Sequence, residues 1–386
     1  MRGHRTAPTR IGRPSRRTQP DPRRRSLRLS YWSSKFRALS GQAPGETISR
    51  HARTDPSHMT TESSDRATPA PTAVSGAYSN FTPFHEREMP TEALAADYAR
   101  LAEITLENPA VSYHVRFDHG GTVAYGVLEG DEIHELSTHY FANPERTGRR
   151  VSLSDARLLA PLDPNRVSKV LGVAANTSGP DMPSVPPASH PGWFTKLPSS
   201  ITGPGGGFEV PVEATQYIHE AEIVLVIGRQ GRHLSVEEAP DHVWGVTVGN
   251  DLTELGWFTG GWDRARPSPI LGKIGDTMAP IGPAIAVGLD YADLRTTHHL
   301  NGTLTQNGST ADRLQPPAEI VSHVSRWVTL LPGDIIFTGA TPFEPGANKV
   351  LKPGDEVVAE IERLGVLRNR AVAMGGVRWE NRWTRS

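Results

Sequence analysis

The chain has 386 residues, with 41 Lys and Arg balanced against 42 Asp and Glu, and it contains no cysteine. That excludes disulfides, thiolate nucleophiles and Cys-ligated zinc. No apolar run approaches the roughly eighteen residues of a membrane span, and no apolar core follows the start, so a cytoplasmic protein without membrane partners is expected.

The near-neutral total conceals a lopsided beginning. Between Met1 and about Ser40 stand twelve Lys or Arg residues and a single acid, Asp21, among Pro, Ser and Thr. Such a segment buries too little apolar surface to offset its ordering entropy, and residues 1–85 are read as a disordered basic, Pro-rich extension. A basic arm could bind nucleic acid or an anionic surface, or be a transit-like peptide. The expectation here is that it has no function, since Met59 or Met89 would serve as later starts. The remaining residues are acidic on balance, which argues against nucleic acid as a partner.

A helix is expected from Thr91 to about Glu107, where Leu94, Tyr98, Leu101 and Ile104 recur every three or four residues and share one face. Short strand-like runs follow at Val111 to Phe117, Thr122 to Leu128 and Glu132 to Leu136, separated by Gly-containing turns. They are read as a small N-terminal domain over 86–162. From 163 to 380, strands are expected at Lys169 to Ala174, Ala221 to Ile227, Trp244 to Gly249, Pro283 to Val287, His298 to Leu300, Asp334 to Phe337 and Glu356 to Ile361. Ser235 to Ala239 is read as a helix start, and Ala318 to Thr329 as a helix with Ile320, Val324 and Trp327 or Val328 on one face. The fold class is therefore α+β and β-rich, a sandwich or rolled barrel with inserted helices.

The run YIHEAEIVLVIG (217–228) carries the most chemical information. Side chains at i and i+2 of a strand share a face, which sets Glu220 and Glu222 about 7 Å apart on one side. Ile223 to Ile227 is apolar throughout, as in a strand covered on both faces. Two carboxylates entering such surroundings need a compensating cation. Asp251 follows another apolar run, and Asn250 beside it could orient a ligand. An all-oxygen set suits Mg²⁺ or Mn²⁺, with Ca²⁺ as the alternative; pairing with Arg or Lys across a sheet is the purely structural alternative.

In order, HEAEIVLVIG, VWGVTVGND, LGKIGDTMAPIGP, HLNGTLTQNG, LLPGDIIFTGATP and LKPGDEVVAEIERLGVLRN resemble the successive signature segments of the fumarylacetoacetate hydrolase family. RFDHGGTVAYGVLEGDEIHEL resembles the small N-terminal domain that many members carry. The resemblance implies a mixed β-roll, a homodimer, and a metal held by Glu220, Glu222 and Asp251. It makes Lys273 the lysine facing the substrate oxygens and Thr341 the threonine holding a substrate carboxylate. Asn176 and Lys196 join Asn250 as substrate-binding candidates.

Two departures weigh against carbon–carbon hydrolysis. Hydrolytic relatives carry Asn-Tyr followed by a His and a Glu that activate water; here Thr177 follows Asn176, and Asp181 and His190 are the candidate proton carriers in that stretch. Loss of a placed base removes a contribution of roughly 10² to 10⁴ in rate. Relatives also place an Arg four residues after the Asp ligand, where this chain has Leu255, which can donate no hydrogen bond to an oxyanion. The expectation is thus an enzyme acting on a small 2-oxo or 1,3-dioxo acid through a metal-held enolate, as hydrolase, isomerase, decarboxylase or lyase. The competing reading is a metal-binding, non-catalytic or specialised biosynthetic member. Trp257, Phe258 and Trp262 hint at a bulky substrate or at packing within a loop.

Overall fold

The computed structural model describes residues 91–177, 190–260 and 268–375; the expected extension over 1–85, Asp181 and Trp262 lie outside them. Helix α1 (Thr91–Glu107) forms where the apolar spacing predicts, with Leu94, Tyr98, Leu101 and Ile104 buried. Off that stripe, Leu106 is 70% exposed. Strands β1 (Ser112–His119), β2 (Thr122–Glu129), β3 (Glu132–Leu136) and β4 (Arg146–Ser152) pair antiparallel in sequence, and β5 (Arg157–Leu158) pairs with β1. The β1–β2 turn uses Gly120 and Gly121, both at positive φ (61° and 83°), as a two-residue hairpin with the right twist demands.

Next come β6 (Val170–Ala174), β7 (Gly192–Lys196), β8 (Ile201–Thr202), β9 (Gly207–Val210), β10 (Tyr217–Ile218), β11 (Ala221–Ile227), β12 (Val243–Asn250) and β13 (Thr253–Glu254). Two short helices, α2 (Leu255–Thr259) and α3 (Leu271–Ile274), precede β14 (Ala279–Val287), β15 (Arg295–Leu300) and β16 (Thr303–Ser309). Helix α4 (Pro317–Ser325), β17 (Ile335–Phe337), β18 (Glu356–Ile361) and β19 (Gly365–Ala373) complete the described chain.

A 12-stranded mixed sheet runs β4-β3-β2-β1-β14-β12-β11-β17-β6-β7, with β5 and β8 attached to β1 and β14. A five-stranded sheet runs β16-β15-β18-β19-β9. The expected α+β, β-rich fold with mixed sheets is what forms; both paths are open-ended, so among the described residues no barrel closes. The N-terminal strands are hydrogen-bonded into the large sheet through β1 and β14.

Strand β11 lies between β12 and β17, and all seven of its residues are buried. Because side chains alternate, Ile223, Leu225 and Ile227 enter one apolar cluster while Val224 and Val226 enter another. Each such fully buried side chain contributes about 1.5–3 kcal/mol relative to exposure. The strand that carries Glu222, with Glu220 just before it, is thereby fixed from both faces.

Elsewhere the expectations shift in detail. Ser235 to Ala239 starts no α-helix; a single 3₁₀ turn spans Ala239–His242. Helix α4 ends at Ser325, Val328 packs against the core, and Trp327 is 71% exposed. Among the described residues, no helix is long and apolar enough to cross a membrane.

Candidate active site

Antiparallel pairing of β11 with β12 sets Ala221 opposite Asn250 and Glu222 opposite Gly249. Residues some thirty apart in sequence thus meet at one strand end. The Asp251 N–H donates to the Glu220 carbonyl at 2.8 Å, and the Glu220 N–H to Asn250 Oδ1 at 2.9 Å. Glu222 Oε2 accepts from the Gly339 N–H at 2.7 Å. All three carboxylates line one cavity of about 330 Å³.

Lys273 reaches the same cavity from α3. Gly272 permits this approach, since a Cβ there would stand 2.8 Å from the Glu254 carbonyl oxygen and the Phe258 nitrogen. The Lys273 ammonium donates to Asp251 Oδ2 and, at 2.7 Å, to Thr253 Oγ1; it lies 4.0 Å from Glu220 Oε2. It also sits over the Phe194 ring at 3.9 Å and the Phe258 ring at 5.0 Å, where the negative ring faces favour a cation.

Lys196, at the end of β7, approaches Asp251 from outside the cavity. Its Nζ is 2.7 Å from Asp251 Oδ1 and donates to the carbonyls of Leu252, Met278 and Lys273 at 2.7, 2.9 and 3.3 Å. That buried ion pair holds the inner oxygen of Asp251. Lys196 is 1% exposed and braces Asp251; it does not line the cavity as a substrate-binding residue would.

The charge balance is uneven. Burial pushes Lys196 down to about 8. Burial also opposes ionisation of Asp251, yet the Lys196 and Lys273 ammonium groups outweigh it and hold the carboxyl below its ordinary range. Burial pushes Glu220 up to about 7 and Glu222 well above the usual carboxylate range, the neighbouring carboxylates adding to the rise. Ionising both glutamates requires further positive charge in the cavity.

A divalent cation fits that requirement. The donor set is all oxygen, and two buried glutamates resist ionisation. Among the described residues, no three His, Asp or Glu side chains form a ready-made coordination cluster; the Lys273 ammonium is the charge that Asp251 and Glu220 now meet.

The other sequence candidates separate clearly. Thr341 lines the cavity, its N–H bonded to the Ala221 carbonyl at 3.2 Å. Asn176 also lines it, but its amide is committed to Thr338 and Gln315 backbone groups. Asn250 holds Glu220 in place rather than facing the cavity. His190 is exposed beside His323, ring centroids 5.4 Å apart, and is not brought to the cavity. Leu255 and Phe258 line the wall, as do Phe194, Thr253, Phe343 and Lys349, which pattern reading did not single out. Aromatic and threonine positions in mixed strand and loop segments carry no periodic signal, so only the fold could reveal them.

Comparison with known proteins resolves the kinship. Residues 169–372 match the fumarylacetoacetate (FAA) hydrolase C-terminal family model, and 114–161 match an Rv2993c-like N-terminal model. The chain belongs to the fumarylacetoacetate hydrolase family. It is similar to the mitochondrial oxaloacetate tautomerase FAHD2B of Bos taurus, 36% identical over 57% of this chain and 70% of the relative. Protein Rv2993c of Mycobacterium tuberculosis is 34% identical over 66% of this chain and 95% of its own length. A solved 2-hydroxyhepta-2,4-diene-1,7-dioate isomerase of Mycobacterium marinum superposes with a TM-score of 0.59 at 32% identity, over 69% of this chain and all of that one. The chain is an enzyme of the fumarylacetoacetate hydrolase family, whose relatives include tautomerases, isomerases and hydrolases.

Proposed function

We propose that this family member converts a 2-oxo or 1,3-dioxo acid into its enolate and reprotonates it, as a tautomerase or isomerase, in a reaction that depends on Mg²⁺ or Mn²⁺. The observation that carries the reading is the pairing of an oxygen-rich cavity end, formed by Glu220, Glu222, Asp251 and Lys273, with an apolar Leu255 in the wall. Glu220, Glu222 and Asp251 would hold the cation, which supplies Lewis-acid polarisation of the substrate's oxo group.

The C3 proton passes to solvent and is returned from it at the end of the reaction, while the chain's own residues balance the charge that develops. Lys273 Nζ, oriented by Thr253 Oγ1 and Asp251 Oδ2, balances negative charge as it develops on the enolate oxygen. Phe194 and Phe258 cover that ammonium and keep water from it, which strengthens the interaction. Leu255 offers no donor to a tetrahedral oxyanion, and among the described residues no histidine lines the cavity to activate water. Both features favour enolate chemistry over hydrolytic cleavage.

The test is to incubate cation-loaded protein with oxaloacetate and a panel of acylpyruvates, following enol absorbance and identifying products by mass. Faster keto–enol exchange without cleavage, lost in Glu222→Gln, is expected. Cleavage of acylpyruvates to two acids at comparable rates would overturn the reading in favour of hydrolysis.

A further inference from the structure

Glu222 is held through the backbone beside it as well as through its own carboxylate. Its Oε2 accepts the Gly339 N–H at 2.7 Å, and Thr338, the residue before that glycine, is tied to β11: its hydroxyl donates to the Ile223 carbonyl at 2.9 Å. Thr338 is fully buried. A hydroxyl has one proton to give and lone pairs left to accept with. Arg313 Nε donates to Thr338 Oγ1 at 2.8 Å. Guanidinium, hydroxyl and strand carbonyl thus form a relay that ends on the residue next to Glu222.

Arg313 does not line the cavity of the carboxylates; it lines a separate groove with Tyr291, Pro316 and Pro317. Its backbone is set from both sides. The turn before it, Thr310–Asp312, is closed by a capping box in which Ser309 Oγ accepts from the Ala311 N–H at 3.0 Å and Asp312 Oδ2 from the Ser309 N–H at 2.8 Å. After it, the Leu314 N–H donates to the Asn176 carbonyl and the Gln315 N–H to Asn176 Oδ1, both at 2.8 Å. The planar fork then makes two bonds at once, from Nε to Thr338 and from Nη1 to the Thr310 carbonyl. Burial pulls the guanidinium down to about 10, and Glu222 is the first of the acids that oppose that pull.

We propose that Arg313 is a positioning residue for the cation ligand Glu222: acting through Thr338, it locks the backbone at 338–339 so that the Gly339 N–H fixes the Glu222 carboxylate. The inference deepens the cation-dependent reading and rests on it for Glu222 as a ligand. Residues that orient a ligand without touching the metal change metal affinity by about 10- to 100-fold when they are removed.

The test measures Mn²⁺ affinity by calorimetry on the whole chain, with circular dichroism at the titration temperature to establish that each variant is folded. Arg313→Met is expected to weaken Mn²⁺ by about 10-fold or more. Thr338→Val should reproduce that loss and Thr338→Ser should keep most of the parent affinity; neither depends on whether Arg313→Met folds. The double variant Arg313→Met/Thr338→Val should lose no more than about two-fold beyond either single change, since both break one relay. A purely structural arginine would lower Tm and leave the Mn²⁺ Kd of the folded protein unchanged. That result, or additive losses in the double variant, overturns the proposal. Hydrogen exchange in the cation-free protein reads the same relay without a metal: a peptide covering 338–341 should exchange faster in Arg313→Met and Thr338→Val than in the parent. Absence of Mn²⁺ binding by the parent would overturn the cation reading, while the exchange would still decide the role of Arg313, and unchanged exchange would overturn that.

Discussion

Lys196 and Lys273 divide Asp251 between them, one ammonium 2.7 Å from Oδ1 on the core side and the other bonded to Oδ2 on the cavity side. The two lysines therefore have separable consequences. Lys196→Met leaves a buried carboxylate oxygen and three carbonyls without their cation, a loss of about 3–5 kcal/mol. The expected readout is a Tm lower by on the order of 10 °C. Lys273→Met leaves Asp251 its inner partner, and the expected signature is a folded protein with kcat reduced by about 10²-fold or more. Urea unfolding and steady-state kinetics on both variants check the ordering; a greater stability loss for Lys273→Met would contradict it.

Cation binding should register as stability. At about a hundred times Kd, a ligand that binds only the native state adds roughly 2.7 kcal/mol. Mg²⁺ or Mn²⁺ is expected to raise the Tm of the parent protein and to leave Glu222→Gln and Asp251→Asn nearly unchanged. An equal rise in all three would place the cation elsewhere.

Gln306 ties the Glu-x-Glu strand to the threonine loop. Its Oε1 accepts from the Ala221 N–H at 2.9 Å, and its Nε2 donates to the Thr341 carbonyl, the whole side chain being 0% exposed. Gln306→Leu orphans two buried backbone groups, at about 1–3 kcal/mol each. Gln306→Glu keeps the acceptor and should lose less. Chemical denaturation of the pair decides the matter, and equal losses would show that the acceptor side contributes nothing.

Acid should weaken the fold through neutral buried imidazoles. Burial pushes His114 down to about 4, against an unfolded value near 6.5. Between those values the unfolded chain binds a proton that the native chain does not. Stability is then fully present above about 6.5 and declines as pH falls towards 4, by up to roughly 3 kcal/mol from this residue. Burial moves His298 in the same direction. His114→Phe should flatten the slope of stability against pH in that window; an unchanged slope would remove His114 as its source.

Much of this arrangement could be read from residue order. The alternation-free run Ile223 to Ile227 reveals a strand covered on both faces because burial leaves no position for a polar side chain. The Glu-x-Glu spacing and Asp251 are legible for the same reason, charge at the edge of an apolar run being costly without a purpose. Lys196 is a different case. A lysine two residues after Phe194 in a short strand looks like any surface cation, and only the convergence of three carbonyls from Leu252, Lys273 and Met278 makes it structural. His190 stands in the stretch where hydrolytic relatives carry a histidine, yet its neighbour is His323, not the carboxylates.

The seam between β1 and β14 carries one more implication. Ser112, Tyr113 and His114 pair with Val287, Ala286 and Ile285, so the N-terminal strands close an edge that would otherwise display unpaired backbone groups beside buried apolar side chains. A chain trimmed to begin near residue 163 would expose that edge as a template for a second molecule. Removal of the N-terminal strands is therefore expected to produce insoluble protein before it produces an inactive one.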